Sequence, residues 1–314
     1  MEILDLRHFA APQLRPLLDE ETLLWQNGLS WDYHGSAGMI LRYSDNKVLP
    51  GYAAVENGRV IGYSFFVYEG SKGVIGDLYV ETAQGTLRRR VAAELAGHVI
   101  DTLQNSPGTT RIEAQLLLPD AGWVSESFQL AGFRVHPRLF LHLPVGGENL
   151  TPRHRPEGFE IRPWNEKDYQ PAAEIISAAY GGHIDAAIND QYRTRAGAMR
   201  FLNNIVRFPG CGYFDDTASF VAVDSLSGNR IGLLLCSRVS ERAGHITQLC
   251  LLPSWRGCGL GETLICACHQ SLRRRGFQAI TLTVTEENRN AVALYERLGF
   301  QQKHRFDSFV WERP

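Results

Sequence analysis

Apolar positions along this chain keep two periods, one of two residues and one near 3.6, and the places where one gives way to the other mark its elements. In the second half they predict a strand at 158–163, helices at 168–180 and 189–206, a strand at 218–224, and the turn "SLSGNR". Strands at 230–238 and 244–252, a helix at 259–275, a strand at 278–284, a helix at 288–298 and a closing strand pair at 300–312 complete the order. The turn residues SGN between "SFVAVD" and "RIGLLLCSR" predict an antiparallel hairpin, and the strand, helix, strand run from 244 to 284 predicts a right-handed parallel crossover. The class is mixed α/β.

The first half repeats the theme. "YAAVENGRVIGYSFFVYE" reads as a hairpin turning at "ENGR", "GVIGDLYV" as a strand, "LRRRVAAELAGHVIDTL" as an amphipathic helix, "RIEAQLLL" as a strand, and "VSESFQLAGFRVHPRLFLHLPV" as a helix followed by strands. Laying "SFQLAGFRVHPRLFLHL" over "LYERLGFQQKHRFDSFV" puts Gly132 and Phe133 on Gly299 and Phe300, an offset of 167 residues, as a duplicated fold would. Between the halves, "LPVGGENLTPRHRPEGFEIRP" at 143–163 has Gly, Pro and mixed charge without periodicity, so it reads as a linker. Domains are expected at 1–148 and 155–314.

Composition narrows the partners. With 314 residues, 44% hydrophobic and 21% charged, the chain can bury two ordinary cores, and a formal charge of −2 supplies no field for nucleic acid. Acidic residues interrupt the N-terminal "MEILDLRHFAAPQLRPLL", and no stretch reaches the ~18 apolar residues of a membrane span, so a cytoplasmic protein without membrane contact is expected. All six cysteines (Cys211, Cys236, Cys250, Cys258, Cys266, Cys268) fall in the C-terminal half without a CxxC spacing. Reduced thiols are the expectation. "CACH", Cys266 to His269, does not bring its ligand types to one helix face, and no metal site is expected.

The chemistry concentrates in "LLPSWRGCGLG", Leu251 to Gly261, where Arg256 precedes Gly257, Gly259 and Gly261 between a predicted strand and helix. A glycine-rich turn opening a helix leaves N–H groups pointing outward with the positive end of the helix dipole behind them, which suits a pyrophosphate. Glycine admits the positive φ of such a nest and the close approach of phosphate oxygens. The spacing RGxGxG is neither the GxGxxG of dinucleotide-binding folds nor a Walker A loop, since no Gly-Lys-Ser/Thr follows.

This segment resembles the V-x-P-x-x-R-G-x-G-x-G/A signature of the GCN5-related N-acetyltransferases (GNAT). A second family segment, N-x-x-A-x-x-L-Y-x-x-x-G-F, is matched downstream by Asn288, Ala291, Leu294, Tyr295, Gly299 and Phe300 in "NRNAVALYERLGF". The resemblance to an intact enzyme covers about 155–314, and the first half matches in outline. Two such modules, each a mixed, mostly antiparallel sheet flanked by helices, resemble the tandem acetyltransferases, of which mycothiol synthase is the best-known kind.

The resemblance implies acetyl-CoA as acyl donor, its pyrophosphate on the amides of Arg256, Gly257, Cys258, Gly259, Leu260 and Gly261. Its pantetheine arm would pair like an extra strand with the backbone of Leu249, Cys250 and Leu251. It further implies direct attack by an acceptor amine, with Tyr295 donating to the departing sulfur and Asn288 serving as a helix N-cap, a polar contact, or both. His245 stands where the family often places a glutamate base, and an imidazole can take a proton at neutral pH; a packed strand histidine is the other reading. Gln248 is a weaker polar candidate, expected on the opposite strand face.

Arg273, Arg274 and Arg275 read as solvated cations offsetting the helix dipole. The acceptor, a small molecule or a protein N-terminus, would meet the segment 179–195. In the first module the corresponding loop keeps only Gly85, Phe128 and Ala121 replace Tyr295 and Asn288, and Arg88, Arg89 and Arg90 read either as a phosphate-attracting cluster or as an exposed basic face, so a degenerate module is expected. The alternative function is a CoA-binding sensor or scaffold without turnover.

Overall fold

The computed structural model describes residues 1–147, 150–153, 157–207 and 212–314, and the chain forms two compact units. Cys211 and the expected domain ends at 148 and 155 lie outside the described residues. The chain runs β1 (Glu2–Asp5), α1 (Ala11–Leu29), α2 (His34–Asp45), β2 (Gly51–Glu56), β3 (Arg59–Glu69), β4 (Lys72–Val80), α3 (Arg88–Asn105), β5 (Arg111–Leu116), α4 (Ser125–Leu130) and β6 (Arg134–Pro144). It continues through β7 (Phe159–Pro163), α5 (Tyr169–Ala179), α6 (Ile184–Ile188), α7 (Arg195–Val206), β8 (Tyr213–Phe214), β9 (Phe220–Asp224) and β10 (Arg230–Arg238). The last elements are β11 (Ala243–Leu251), α8 (Leu260–Arg274), β12 (Ala279–Thr285), α9 (Arg289–Arg297) and β13 (Gln301–Glu312). No helix among the described residues is long and apolar enough to cross a membrane.

The first unit comprises Met1–Arg138 and His304–Pro314. Its sheet runs β1-β2-β3-β4-β5-β13, antiparallel except for β4 beside β5. The β2–β3 hairpin turns on Asn57 and Gly58, with φ of 51° and 76°, the left-handed pair of a type I′ turn. Where two closing strands were expected at 300–312 there is one long strand, β13, whose residues from Asp307 to Glu312 pair with β5. Packing decides this: Phe309 of β13 stacks on Phe128 at 3.8 Å inside the first unit's core.

The second unit comprises Leu139–Lys303, so the compact division falls at 138/139 rather than in the glycine- and proline-rich stretch near 150. Leu139, Leu141, Leu143 and Val145 are apolar at alternate positions and join the core of β12, α8 and α9, which makes this segment a strand of the second unit. Its sheet runs β7-β9-β10-β11-β12 and on to this segment, with β11–β12 the parallel pair and α5 and α7 packed on the other face.

The expected helix at 189–206 is broken into a short 3-10 turn at Asp190–Arg193 and α7, with the separate short α6 before it. Asn189 and Thr194 are the cause. Both are extended, and their side chains accept from the amides of Gln191 and Gly197 at 3.0 Å each, so each starts a new helix. Arg275 is not a solvated cation: its guanidinium forks onto both carboxylate oxygens of buried Asp215 at 2.7 Å.

Both units carry the same irregularity. In each, the parallel pair holds for four residues and then stops, at Ile75↔Ala114 and at Ile246↔Leu282. In each, the next residue, Gly76 or Thr247, is the extra residue of a bulge against the preceding strand. Just after Gly76, buried Asp77 hydrogen-bonds with buried Glu21, which also accepts from the Tyr63 hydroxyl and from Trp25 Nε1 at 3.1 Å. Tyr33 donates to Asp77 at 2.7 Å. Burial first, and the neighbouring Asp77 second, hold the Glu21 carboxyl well above the usual range, so Glu21 keeps its proton and shares it with Asp77.

Because the folded value lies above the unfolded one, this group's contribution is present in full below the ordinary carboxyl range and is lost as pH climbs toward the raised value. Glu21→Gln removes that dependence. The melting temperature of the variant relative to wild type should therefore rise between pH 5 and pH 9 by scanning calorimetry, and a pH-independent difference would refute the shared proton.

Candidate functional site

Beyond Ile246, β11 runs on to Leu251 and β12 to Thr285 without pairing to each other, while β11 stays paired to β10 through Leu251↔Gly232. The β12-side edge of Leu249, Cys250 and Leu251 is thus an open row of backbone groups, a template for another extended chain. Leu249 and Leu251 pack toward α8, whereas the Cys250 side chain is buried toward α5 and α7. Burial pushes its thiol well up, so it stays protonated.

At the end of β11 the chain turns through Pro253–Trp255 into the glycines. The Arg256 N–H donates to the Pro253 carbonyl at 3.3 Å and its guanidinium to the carbonyl of Ala179, so this arginine ties the loop to the end of α5. Gly257 and Gly259 have φ of 75° and 87°, and Gly259 is the residue before α8. Thr263 is the first amide of α8 with a helical acceptor, Gly259 at 3.0 Å. Among the described residues, the amides of Gly257, Cys258, Gly259, Leu260, Gly261 and Glu262 meet no acceptor. Behind them stands the positive end of a 15-residue helix, roughly half an elementary charge.

The three glycines differ in purpose. A Cβ at Gly257 would meet nothing within 4 Å, so its positive φ is the constraint; a Cβ at Gly261 would touch Leu294 and Leu251 at 3.6 and 3.7 Å, an ordinary contact in a helical residue. The Cys258 side chain is exposed with its thiol on the Trp255 carbonyl at 3.1 Å, and Leu260 is core.

Tyr295, on α9, is buried and packs edge-on against Phe300 at 5.6 Å. Burial first, then the Asp185 carboxylate, push its phenol well up, so it carries its proton at neutral pH. Asn288 caps α9, its Oδ1 accepting from the Ala291 amide at 3.3 Å. His245 lies in the paired part of β11, stacked on Phe140 at 6.0 Å, with Nδ1 2.8 Å from the Thr281 hydroxyl. That hydroxyl also lies 3.4 Å from the Gly244 carbonyl.

Gln248 is not on the opposite face from His245. Gly244 and Ile246 face α8 before the bulge, Leu249 and Leu251 after it, so the extra residue Thr247 reverses the alternation and brings His245 and Gln248 to the same side. On that side the Tyr180 hydroxyl donates to Gln248 Oε1 at 3.3 Å, Tyr180 stacks on Tyr192 at 4.5 Å, and the Thr285 hydroxyl donates to Asp185 Oδ1. His183 caps α6, its Nδ1 accepting from the Asp185 amide at 3.2 Å. Sequence reasoning marked the segment 179–195 but neither Tyr180 nor Asp185 within it, since no spacing rule singles out either one. Among the described residues no three His, Cys, Asp or Glu side chains gather as a metal group would.

The first unit's counterpart is filled by its own side chains. Arg88 donates to the Val80 carbonyl at 3.0 and 3.2 Å, on the edge freed where β4 and β5 part, and its guanidinium lies over Trp123 at 5.1 Å. Phe128 sits in the core, and Arg90 pairs with Glu94 at 3.1 Å.

Comparison with known proteins follows the same lines. A family model described as the acetyltransferase (GNAT) family matches residues 195–300. A mycothiol acetyltransferase of Geodermatophilus obscurus is 28% identical over 318 aligned positions, spanning 97% of this chain and 90% of that protein. A GCN5-related N-acetyltransferase from Sphaerobacter thermophilus superposes with a TM-score of 0.70 at 18% identity, covering 99% of this chain and 96% of that one. A tandem GNAT protein from the clavulanic acid biosynthesis pathway gives 0.65 at 18%, covering 99% and 98%.

The differing roles of the glycines have a measurable consequence. Gly257→Ala should lower stability by about 1 kcal/mol, the cost of a left-handed residue with a Cβ. Gly261→Ala should be neutral or slightly stabilising in urea denaturation, because alanine favours a helix. Equal losses at both positions would contradict this assignment.

Proposed function

The chain belongs to the GCN5-related N-acetyltransferase superfamily in its tandem two-module form and is an N-acetyltransferase, and on that premise we propose that the second unit carries the reaction. There acetyl-CoA gives its acetyl group to a primary amine by direct attack within a ternary complex. The row of unbonded amides from Gly257 to Glu262, next to the open edge of Leu249 to Leu251, is the observation that supports this most strongly. The amides receive the pyrophosphate and the edge receives the pantetheine, which lays the thioester in the opening between β11 and β12.

As the amine nitrogen bonds to the acetyl carbon, the C–S bond breaks and the nitrogen gives up a proton. His245 takes that proton by way of ordered water. Tyr295 keeps its own proton tightly, and this suits donation of a hydrogen bond to the leaving thiolate. The first unit, with Arg88 on the edge where pantetheine would lie and Phe128 in place of a tyrosine, binds no acetyl-CoA in this reading. The name of the Geodermatophilus relative supports a small-molecule acceptor over a protein.

Thiol release screened against an amine library, with mass spectrometry of the product, tests the proposal. An acetylated amine is expected; wild-type protein that binds acetyl-CoA and acetylates nothing would be a sensor.

Tyr295→Phe deletes one hydroxyl from a packed ring. The single-turnover rate should fall by roughly 10²-fold with the KM for acetyl-CoA unchanged, and a wild-type rate would leave Tyr295 only its packing role. His245→Gln should lower the same rate by a similar factor, roughly 10²-fold, without weakening acetyl-CoA binding in calorimetric titration. Full activity in that variant would hand the proton to solvent alone.

A further inference from the structure

Two polar groups on the His245 side of the second unit's sheet lack the partners that their burial calls for. Gln248 is 5% exposed, and while its Oε1 meets the Tyr180 hydroxyl, its Nε2 has no hydrogen-bond partner among the described residues. Asp185 has a side chain only 16% exposed, and no lysine or arginine pairs with it among the described residues. Its Oδ1 accepts from Thr285, and His183 Nδ1, 3.5 Å from Oδ2, accepts from the Asp185 amide at 3.2 Å. A carboxylate mostly withdrawn from water with no lysine or arginine on it, and a buried amide donor without an acceptor, are costly unless a ligand completes them.

The two groups are joined through one residue. Tyr180 bonds to Gln248 and meets the His183 ring edge-on at 5.3 Å, and Asp185 follows two residues on. Asp185 also acts electrostatically on the phenol of Tyr295. Thr285, which holds Asp185, lies four strand residues beyond Thr281, which holds His245, a separation of roughly 13 Å. Asp185 therefore stands at the opening of the sheet, and His245 lies deeper.

We propose that Asp185 binds the acceptor as an ammonium and that Gln248 donates to an oxygen of the same molecule, so that the acceptor is a small primary amine that also carries a hydroxyl or carbonyl oxygen. This rests on the second unit being the acetyl-transfer site. Tyr180 and Tyr192 supply aromatic faces beside the cation. Asp185 is thus a substrate-binding and specificity-determining residue.

Ligand-observed NMR on the full chain loaded with CoA tests this without requiring turnover. The probes are amino alcohols, amino sugars and amino-acid amides, the same skeletons without the oxygen, and the same skeletons without nitrogen. Oxygen-bearing amines should bind wild type best. Asp185→Asn, which keeps the size of the side chain, should weaken them at least tenfold while leaving CoA affinity and melting temperature unchanged, and Asp185→Glu should restore part of the loss. Gln248→Leu should erase the preference for the oxygen while retaining the amine. Equal amine binding by wild type and Asp185→Asn, or no binding by any amine, would overturn the proposal. Asp185-dependent binding without release of CoA thiol from acetyl-CoA would uphold this site and defeat the transfer reading instead.

Discussion

Four residues of parallel pairing between β11 and β12, and no more, are the constraint on which the second unit's site depends. Had the ladder run to Leu251, the backbone groups of Leu249 to Leu251 would be spent on β12. The bulge at Thr247 accompanies the parting and strengthens the local twist that turns β11 away from its neighbour. One extra residue marks the parting and reverses which side chains share a face with His245.

Around that opening the site is assembled from elements far apart in sequence. The glycine loop brings unbonded amides to one end of it, α9 brings Tyr295, and the broken helical segment before α7 brings Asp185. Arg256 joins the loop to α5 through the Ala179 carbonyl, so its place in the motif serves the scaffold. The first unit shows what happens when the same opening is kept without the chemistry. Its bulge at Gly76 and its four-residue ladder are intact, yet Arg88 takes the freed carbonyl and a protonated acid pair with aromatic neighbours fills the position after the bulge. Filling by its own side chains stabilises that unit without a ligand, as a satisfied polar network should.

Much of the fold was legible from periodicity. The strands at 230–238 and 244–252, the helices at 259–275 and 288–298 and the "ENGR" hairpin lie within a residue or two of their observed bounds, because each has an apolar run or stripe of one period and a clear stop signal. The helix expected at 189–206 failed at Asn189 and Thr194, where local side-chain bonds to the backbone compete with helix continuation. The closing strand pair failed because the pattern of 300–312 cannot say which sheet receives it.

What the sequence by itself determined is whatever lies within one or two turns of chain: the elements, the left-handed glycines, the cap at Asn288 and the motif spacing that carries the family resemblance. Such features are set by local sterics and short-range hydrogen bonds, and those are written in adjacent residues. Only the tertiary structure decided that Gln248 shares a face with His245, that Asp185 stands by Tyr295, and that the last strand belongs to the first unit's sheet. A bulge shifts the phase of a strand by one residue and a sheet accepts a strand from any distance along the chain, so neither outcome is encoded in the pattern of the segment concerned.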